Sequence, residues 1–342
     1  MRPMREFEPL SIANTAWAYA KLVRHDGPLF NALSSASMRM LQQLCSQHIS
    51  NTAWALATLS KVDEPLMNAL ASEALPKLQG ACPQHLSMMA WSFATLGLMN
   101  PTLMKAISSA SLNRICEFKP QEITNPAWAF ATLGCADIPL FDALAAESIP
   151  KCSECGPREL AITALSFARI SVTNLPLMEA ISKSAISRIT DYGQQEIANP
   201  AWAYAKLVIT DAPLLQATSS AAISKISDFF PQHLTNLAWS LAKLSFLHST
   251  LLEAIASASI AKLQDFNTQN LSNSAWAYAT LSVVHMPLLH AIAAASIPMI
   301  SEATNQSITN TAWAFSSCSV MDLPLLDALA AAAIAKIAEE GP

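Results

Sequence analysis

Tryptophan returns at one spacing through this chain. Trp17, Trp54, Trp91, Trp128, Trp202, Trp239, Trp276 and Trp313 stand 37 residues apart, with a single step of 74 that passes over Leu165. The nine registers run without insertion or deletion. A period of this length marks a stack of like supersecondary units, each too small to bury its own apolar face. Other residues keep the register: Ala precedes the Trp position in all nine, Ala16 to Ala312, Leu stands twelve after it, Leu29 to Leu325, and Ala fifteen after, Ala32 to Ala328. Positions below are counted from the Trp, so that Leu29 is at +12.

One repeat reads as two helices. Helix A carries Gln-x-(Ile/Leu)-(Ser/Thr/Ala)-Asn-x-Ala-Trp-Ala-(Phe/Tyr/Leu)-Ala-(Lys/Thr)-Leu, and Pro83, Pro120, Pro157 and Pro231 precede it, where a missing N–H costs nothing. Helix B opens at Asp-x-Pro-Leu, with Asp26, Asp63, Asp137, Asp211 and Asp322 expected as N-caps. Pro126 and Pro200 fall within helix A, which predicts either a kink or a turn followed by an Asn-capped helix. Pro76, Pro150 and Pro298 interrupt helix B near its end. Small residues flanking the Trp let helices approach closely. The expected fold is all-α, a right-handed α-solenoid over residues 9–341, with repeats 9–45, 46–82, 83–119, 120–156, a degenerate 157–193, 194–230, 231–267, 268–304 and 305–341.

Composition closes off other classes. With 52% hydrophobic and 13% charged residues the chain is too apolar for disorder, and seven Gly are too few for a turn-rich β protein. No apolar run reaches the roughly 18–20 residues a bilayer demands, so membrane insertion is not expected. The start has no signal h-region and is too short for a transit peptide. The Ala-rich last helix looks like an interior one, which predicts a longer array or a partner at that end. Seven Cys read as buried thiols of a reducing compartment, and Cys152-Ser-Glu-Cys155 lacks the further ligands zinc needs. No motif unites nucleophile, base and orienter, so neither catalysis nor a metal or cofactor is expected. The array is read as a binding surface.

At about 100° per residue helix A has two faces. The residues at −5, +2 and +5 share the core side. The opposite face carries Gln47, Gln84, Gln121, Gln195, Gln232, Gln269 and Gln306 at −7 and Asn14, Asn51, Asn125, Asn199, Asn236, Asn273 and Asn310 at −3. The Trp and position +4 complete it, the latter being Lys21, Thr58, Thr95, Thr132, Arg169, Lys206, Lys243, Thr280 and Ser317. Amides beside a planar aromatic and a cation suit stacked bases and phosphates, although Trp as packing and Asn as a cap or inter-repeat ladder account for the same pattern. A residue that reads base sequence has to vary between repeats. Position +4 varies, as does −6, which holds His48, His85 and His233 among Ser, Glu and Asn; +9 varies too, where simple N-capping suffices.

Net charge is −5, yet cations recur at +23: Lys77, Arg114, Lys151, Arg188, Lys225, Lys262 and Lys336. Stacked, they form a stripe that can serve as a footprint for phosphate. On a straight helix B they point toward the apolar arc, so either a break near Pro76 and Pro150 re-aims them or they snorkel.

The run from Gln47 to Leu59, Gln-His-Ile-Ser-Asn-Thr-Ala-Trp-Ala-Leu-Ala-Thr-Leu, resembles the core of octotricopeptide repeats and of the related 37-residue heptatricopeptide repeats. The resemblance extends over residues 9–341 and implies an RNA-binding α-solenoid of mitochondria or chloroplasts, acting in RNA processing, stability, translation or ribosomal RNA assembly. Many such proteins carry a C-terminal RAP domain, and none follows residue 341 here. The fifth repeat departs from the motif, with Arg158, Ile162 and Leu165 in place of Gln, Asn and Trp. The expected partner is single-stranded RNA, near one nucleotide per repeat, with other protein subunits possible; the alternative is a protein-binding scaffold. An exposed, electropositive Gln/Asn/Lys face on the concave side favours RNA, and its burial between repeats, or a Lys stripe on the convex side, favours the scaffold.

Overall fold

A computed structural model describes residues 7–340. Among them eighteen α-helices alternate as A and B members of successive pairs, and no strand occurs. The A helices are α1 Pro9–Lys21, α3 Ser46–Thr58, α5 Pro83–Thr95, α7 Pro120–Thr132, α9 Pro157–Arg169, α11 Gln194–Lys206, α13 Pro231–Lys243, α15 Thr268–Thr280 and α17 Asn305–Ser317. The B helices are α2 Gly27–Arg39, α4 Glu64–Ala74, α6 Pro101–Leu112, α8 Ile138–Lys151, α10 Leu175–Ser187, α12 Ala212–Lys225, α14 Ser249–Ala261, α16 Met286–Ser296 and α18 Leu323–Glu340. The fold is an all-α solenoid of stacked helix pairs.

The chain divides into two compact units, residues 1–180 and 181–342, with the boundary inside α10. In the first, α1, α3, α5, α7 and α9 lie side by side and pack along their length; α11, α13, α15 and α17 do so in the second. B helices touch their neighbours less closely. In each unit the A helices are thus the more closely packed layer.

The close approach has a sequence cause. From Ala53 to Ala275 the residue at −1 is fully buried Ala, and +1 is an equally buried Ala or Ser in Ala55, Ser92, Ala129, Ser166, Ala203, Ser240 and Ala277. Beneath them Ile49, Leu86, Ile123, Leu160, Ile197, Leu234 and Leu271 at −5 and Phe93, Phe130, Phe167, Tyr204 and Tyr278 at +2 fill the core. Position +5 departs from expectation. Helix A ends one residue earlier, so +5 is its C-cap: buried as expected in Leu59 and Leu244, but exposed in Leu22 and only half-buried in Leu96, Leu133 and Leu207.

Helix A closes the same way in every repeat. Residue +6 takes positive φ, as Val23, Ser60, Gly97, Gly134, Ser171, Val208, Ser245, Ser282 and Ser319. Its N–H and the next one bond back to the last turn, as Ser60 N–H to Ala57 O at 3.0 Å and Lys61 N–H to Leu56 O at 2.9 Å. This is a Schellman closure, for which Gly is the favoured residue, present here in only two of nine turns. Helix B then starts on the expected cap: Asp63, Asn100, Asp137, Asn174, Asp211 and Asp322 each accept the N–H of the buried Leu three residues on. His248 and His285 do the same through Nδ1, at 3.2 and 3.1 Å.

Of the two alternatives for Pro126 and Pro200, the turn followed by an Asn-capped helix is not found. Both lie inside helices assigned without interruption, α7 and α11, at buried positions. Pro76 and Pro298 do end helix B, at the second residue of the 3-10 turns Leu75–Gly80 and Ile297–Glu302. Pro150 sits one residue before the end of α8.

Candidate nucleic-acid interface

The face of the A helices that carries the repeated amides is open to solvent, not buried between repeats. Gln47, Gln84, Gln121, Gln195, Gln232, Gln269 and Gln306 are exposed, and Asn51, Asn125, Asn199, Asn236, Asn273 and Asn310 are half-buried. Thr15 and Thr52 on the same helices bond to carbonyls four residues back, yet no side-chain amide at −7 or −3 has a hydrogen-bond partner among the described residues. The cap or inter-repeat ladder that packing alone would ask of Asn is not made.

The indoles lie between the amides. They are mostly half-buried, with Trp17 and Trp313 the most open. In the first unit Trp17 and Trp54 have centroids 6.2 Å apart, and Trp91 and Trp128 are 6.4 Å apart. In the second, Trp202, Trp239 and Trp276 form a continuous run at 6.3 and 6.5 Å, tilted by 30° and 32°. Seven of the eight indoles, all but Trp313, thus pack on a neighbour by one part and meet solvent by another. Leu165, half-buried, leaves the fifth repeat without a ring on this face, beside half-buried Ile162 and exposed Arg158.

One turn beyond each indole stands position +4. Lys21, Thr95, Thr132, Arg169, Lys206, Lys243, Thr280 and Ser317 are exposed, and Thr58 is half-buried. Arg169 donates to Thr132 Oγ1 at 3.3 Å. Lys206 and Lys243 have no ion pair or hydrogen bond with any described residue, and neither has the Thr280 hydroxyl.

The other two sets have work within the fold. Position −6 is the third residue of helix A, where a side chain can reach back to the N-cap N–H. His48 Nδ1 accepts from Cys45 N–H at 3.3 Å, Glu122 Oε2 from Lys119 N–H at 2.9 Å, and Asn270 Oδ1 from Asn267 N–H at 3.3 Å. His85 Nδ1 lies 3.2 Å from Ser46 Oγ of the preceding repeat. His233 Nδ1 is buried without a partner, its ring edge-on to Phe229. At His48, Glu122 and Asn270 the residue at −6 therefore serves capping chemistry, which His, Glu and Asn each supply. Burial holds the His48, His85 and His233 imidazoles below their ordinary pKa; Lys77 adds to this at His48, and Glu196 opposes it at His233.

Five of the seven +23 cations neither swing out freely nor snorkel. Lys77 Nζ donates to Leu44 O, Arg114 to Ala81 O at 2.7 Å, Lys151 to Phe118 O at 2.5 Å, Lys225 to Tyr192 O at 2.6 Å and Lys262 to Phe229 O at 2.7 Å. Each acceptor belongs to the buried residue that leaves the preceding repeat's last turn, at +27. Such a carbonyl has no helical partner, and leaving it unsatisfied is costly. Glu73, Glu117 and Glu147 flank three of these cations as ion pairs. Arg188 donates to Ser184 Oγ at 3.1 Å. The sequence analysis passed over +27, although its buried Leu44, Phe118, Tyr192, Phe229 and Phe266 recur at the common period.

Cys152 and Cys155 are both buried, and burial pushes the Cys152 thiol up to about 11, away from the thiolate that metal binding or redox chemistry uses. No helix among the described residues is long and apolar enough to cross a membrane.

Among curated proteins none matches this chain. A homology model of the full-length AP-3 complex in an intermediate open conformation aligns at 13% identity with a TM-score of 0.33, over 92% of this chain and 57% of that one. The chain thus spans little more than half of that protein, and a likeness this distant carries no argument. A family model described as RNA-editing substrate-binding complex 6 protein matches residues 77–286, well over half of the chain and most of its repeats. The helical-repeat architecture expected above is present, and the family is an RNA-related one. By that match the chain belongs to the RNA-editing substrate-binding complex 6 protein family.

Proposed function

We propose that the chain binds single-stranded RNA along the A-helix faces, as a non-enzymatic subunit of an RNA-processing assembly. One observation carries the reading: in repeat after repeat the Gln and Asn amides at −7 and −3 have no partner within the fold, beside half-exposed indoles. Amides unused internally are available to a ligand's acceptors. Invariant amides suit what every nucleotide shares, phosphate and the ribose 2′-OH, while an indole offers a stacking surface to any base. The family's printed description, a substrate-binding complex for RNA editing, agrees with RNA and protein partners. The octotricopeptide- and heptatricopeptide-like motif adds the expectation of a mitochondrial or chloroplast setting.

The test is retention of a random single-stranded RNA pool by the full chain at two salt concentrations. Retention that falls with salt, with enrichment of some sequences, is the expected outcome. No retention, or none that responds to salt, overturns the reading.

A second reading has its own observation. Every repeat exposes an aliphatic side chain in the turn between its helices, among them Val62, Met99, Ile138, Val208, Leu247 and Met321. A row of uncovered apolar residues is what a protein-binding scaffold presents. The two readings occupy different surfaces of each repeat.

A further inference from the structure

The RNA reading leaves open how one sequence is preferred over another, and the geometry narrows this to one position per repeat. The sequence raises five polar positions. Positions −7 and −3 hardly vary, so they cannot discriminate. Position −6 caps helix A at His48, Glu122 and Asn270, and is half-buried at His85 and His233, while +9 caps helix B, as at Asp63. What remains is +4: exposed, variable in chemistry, one turn from the indole, and in the second unit unpartnered at Lys206, Lys243 and Thr280. The Thr280 hydroxyl is notable because helical Ser and Thr in this chain commonly bond to the carbonyl four residues back, as Ser240 does to Asn236 O at 2.6 Å.

Resting on that RNA-binding reading, we propose that position +4 selects the base, and that Lys206 and Lys243 select two adjacent guanines. The run Trp202, Trp239 and Trp276 sets three consecutive stacking surfaces in register. A base lying on one of them turns its edge toward the side chain one helical turn away. Lysine offers donors only. On the Hoogsteen edge guanine alone presents two acceptors side by side, O6 and N7; adenine pairs its N7 there with a donor amino group, and cytosine, whose adjacent acceptors O2 and N3 lie on the Watson–Crick edge, presents a donor at N4. Uracil offers single carbonyl acceptors, a weaker match to an ammonium. Threonine both donates and accepts, so the repeat containing Thr280 tolerates several bases.

The experiment compares the full-length wild type with Lys243→Thr and Thr280→Lys by selection from a random single-stranded RNA pool. All three proteins are checked for equal helicity, the substitutions being at exposed positions whose side chains bond to nothing in the fold. Wild type is expected to enrich a guanine pair. Lys243→Thr should reduce it to one guanine, with a loss of about fivefold or more against the other bases at that place alone. Thr280→Lys should lengthen it to three. If wild type retains RNA without guanine preference, or Lys243→Thr weakens all sequences equally, the lysines touch phosphate only and base selection at +4 is overturned while RNA binding stands. If no RNA is retained, both fall together.

Discussion

Lys225 donates its ammonium to the carbonyl oxygen of Tyr192, thirty-three residues earlier, at 2.6 Å, and to that of Thr190 at 2.7 Å. The contact joins one repeat to the next at the point where the chain leaves a 3-10 turn and the backbone of a buried residue lacks a helical partner. Hydrogen bonds from charged donors contribute about 1.5–3 kcal/mol each, so Lys225→Met should destabilise by about that much. Lys262→Met, which breaks the same pair of bonds to Ser227 O and Phe229 O, should behave alike. Denaturant midpoints are the measurement. RNA retention by the folded variants should stay near wild type, since these cations face the preceding repeat's backbone. A variant that keeps its stability but loses RNA would reverse the assignment.

The opposite signature is expected on the A face. The side-chain amides of Asn199, Asn236 and Asn273 bond to nothing among the described residues, so the triple change to Ala should leave the midpoint within about 0.5 kcal/mol of wild type, as surface substitutions usually do. Under the RNA reading it should lower affinity for all sequences together, by tenfold or more for the three, because an invariant amide touches what every nucleotide shares. Filter binding with pools of differing composition distinguishes this from a loss confined to one base.

How much of this was legible beforehand depends on the kind of interaction. The helix pairs, the caps at Asp63 and Asp137 and the core at Ile123 and Phe130 follow from local spacing, because a helix's period and an N-cap's reach are fixed by a few neighbouring residues. The task of Lys225 was not legible. Its acceptor is a backbone carbonyl, which carries no residue signature, and lies a full repeat away. Position −6 misled for a related reason. Variable polar chemistry there looked like readout, but Cys45 and Lys119 show that several side chains satisfy one capping geometry. On the A face the sequence named the amides and indoles; only coordinates show that the amides lack internal partners.

Val208 and Gly97 occupy the same turn position in different repeats, at φ of 57° and 68°. A side chain with Cβ pays about 1–2 kcal/mol in the left-handed region, and a β-branched one is the least suited to it. Val208 is also 67% exposed, so little packing offsets the strain. Val208→Gly should therefore stabilise, by up to about 1 kcal/mol once the greater freedom of Gly in the unfolded chain is counted. Gly97→Ala should destabilise by about 1 kcal/mol, although a Cβ there meets nothing within 4 Å. Opposite signs from the two substitutions isolate backbone conformation from packing, and equal signs would remove strain as the cause.

Acidification should weaken the fold through three imidazoles on the A helices. Burial is the first cause lowering His48, His85 and His233 from the ordinary value of 6.5. A group whose folded-state pKa lies below its unfolded value binds protons more readily once unfolded. Its contribution is complete above 6.5 and is lost as pH falls through the folded value. The melting temperature should therefore drop as pH is taken from about 7.5 to about 5.5, before most carboxylates titrate. Asn at the same position in Asn270 makes the capping bond, so His48→Asn can keep it, while His85→Asn and His233→Asn give up only the Ser46 contact and an unpartnered nitrogen; together the three remove the titration. The triple variant should lose less stability than wild type over that interval, the two proteins being closest at the neutral end and furthest apart at the acid end. An equal drop in both would assign the acid sensitivity to other groups.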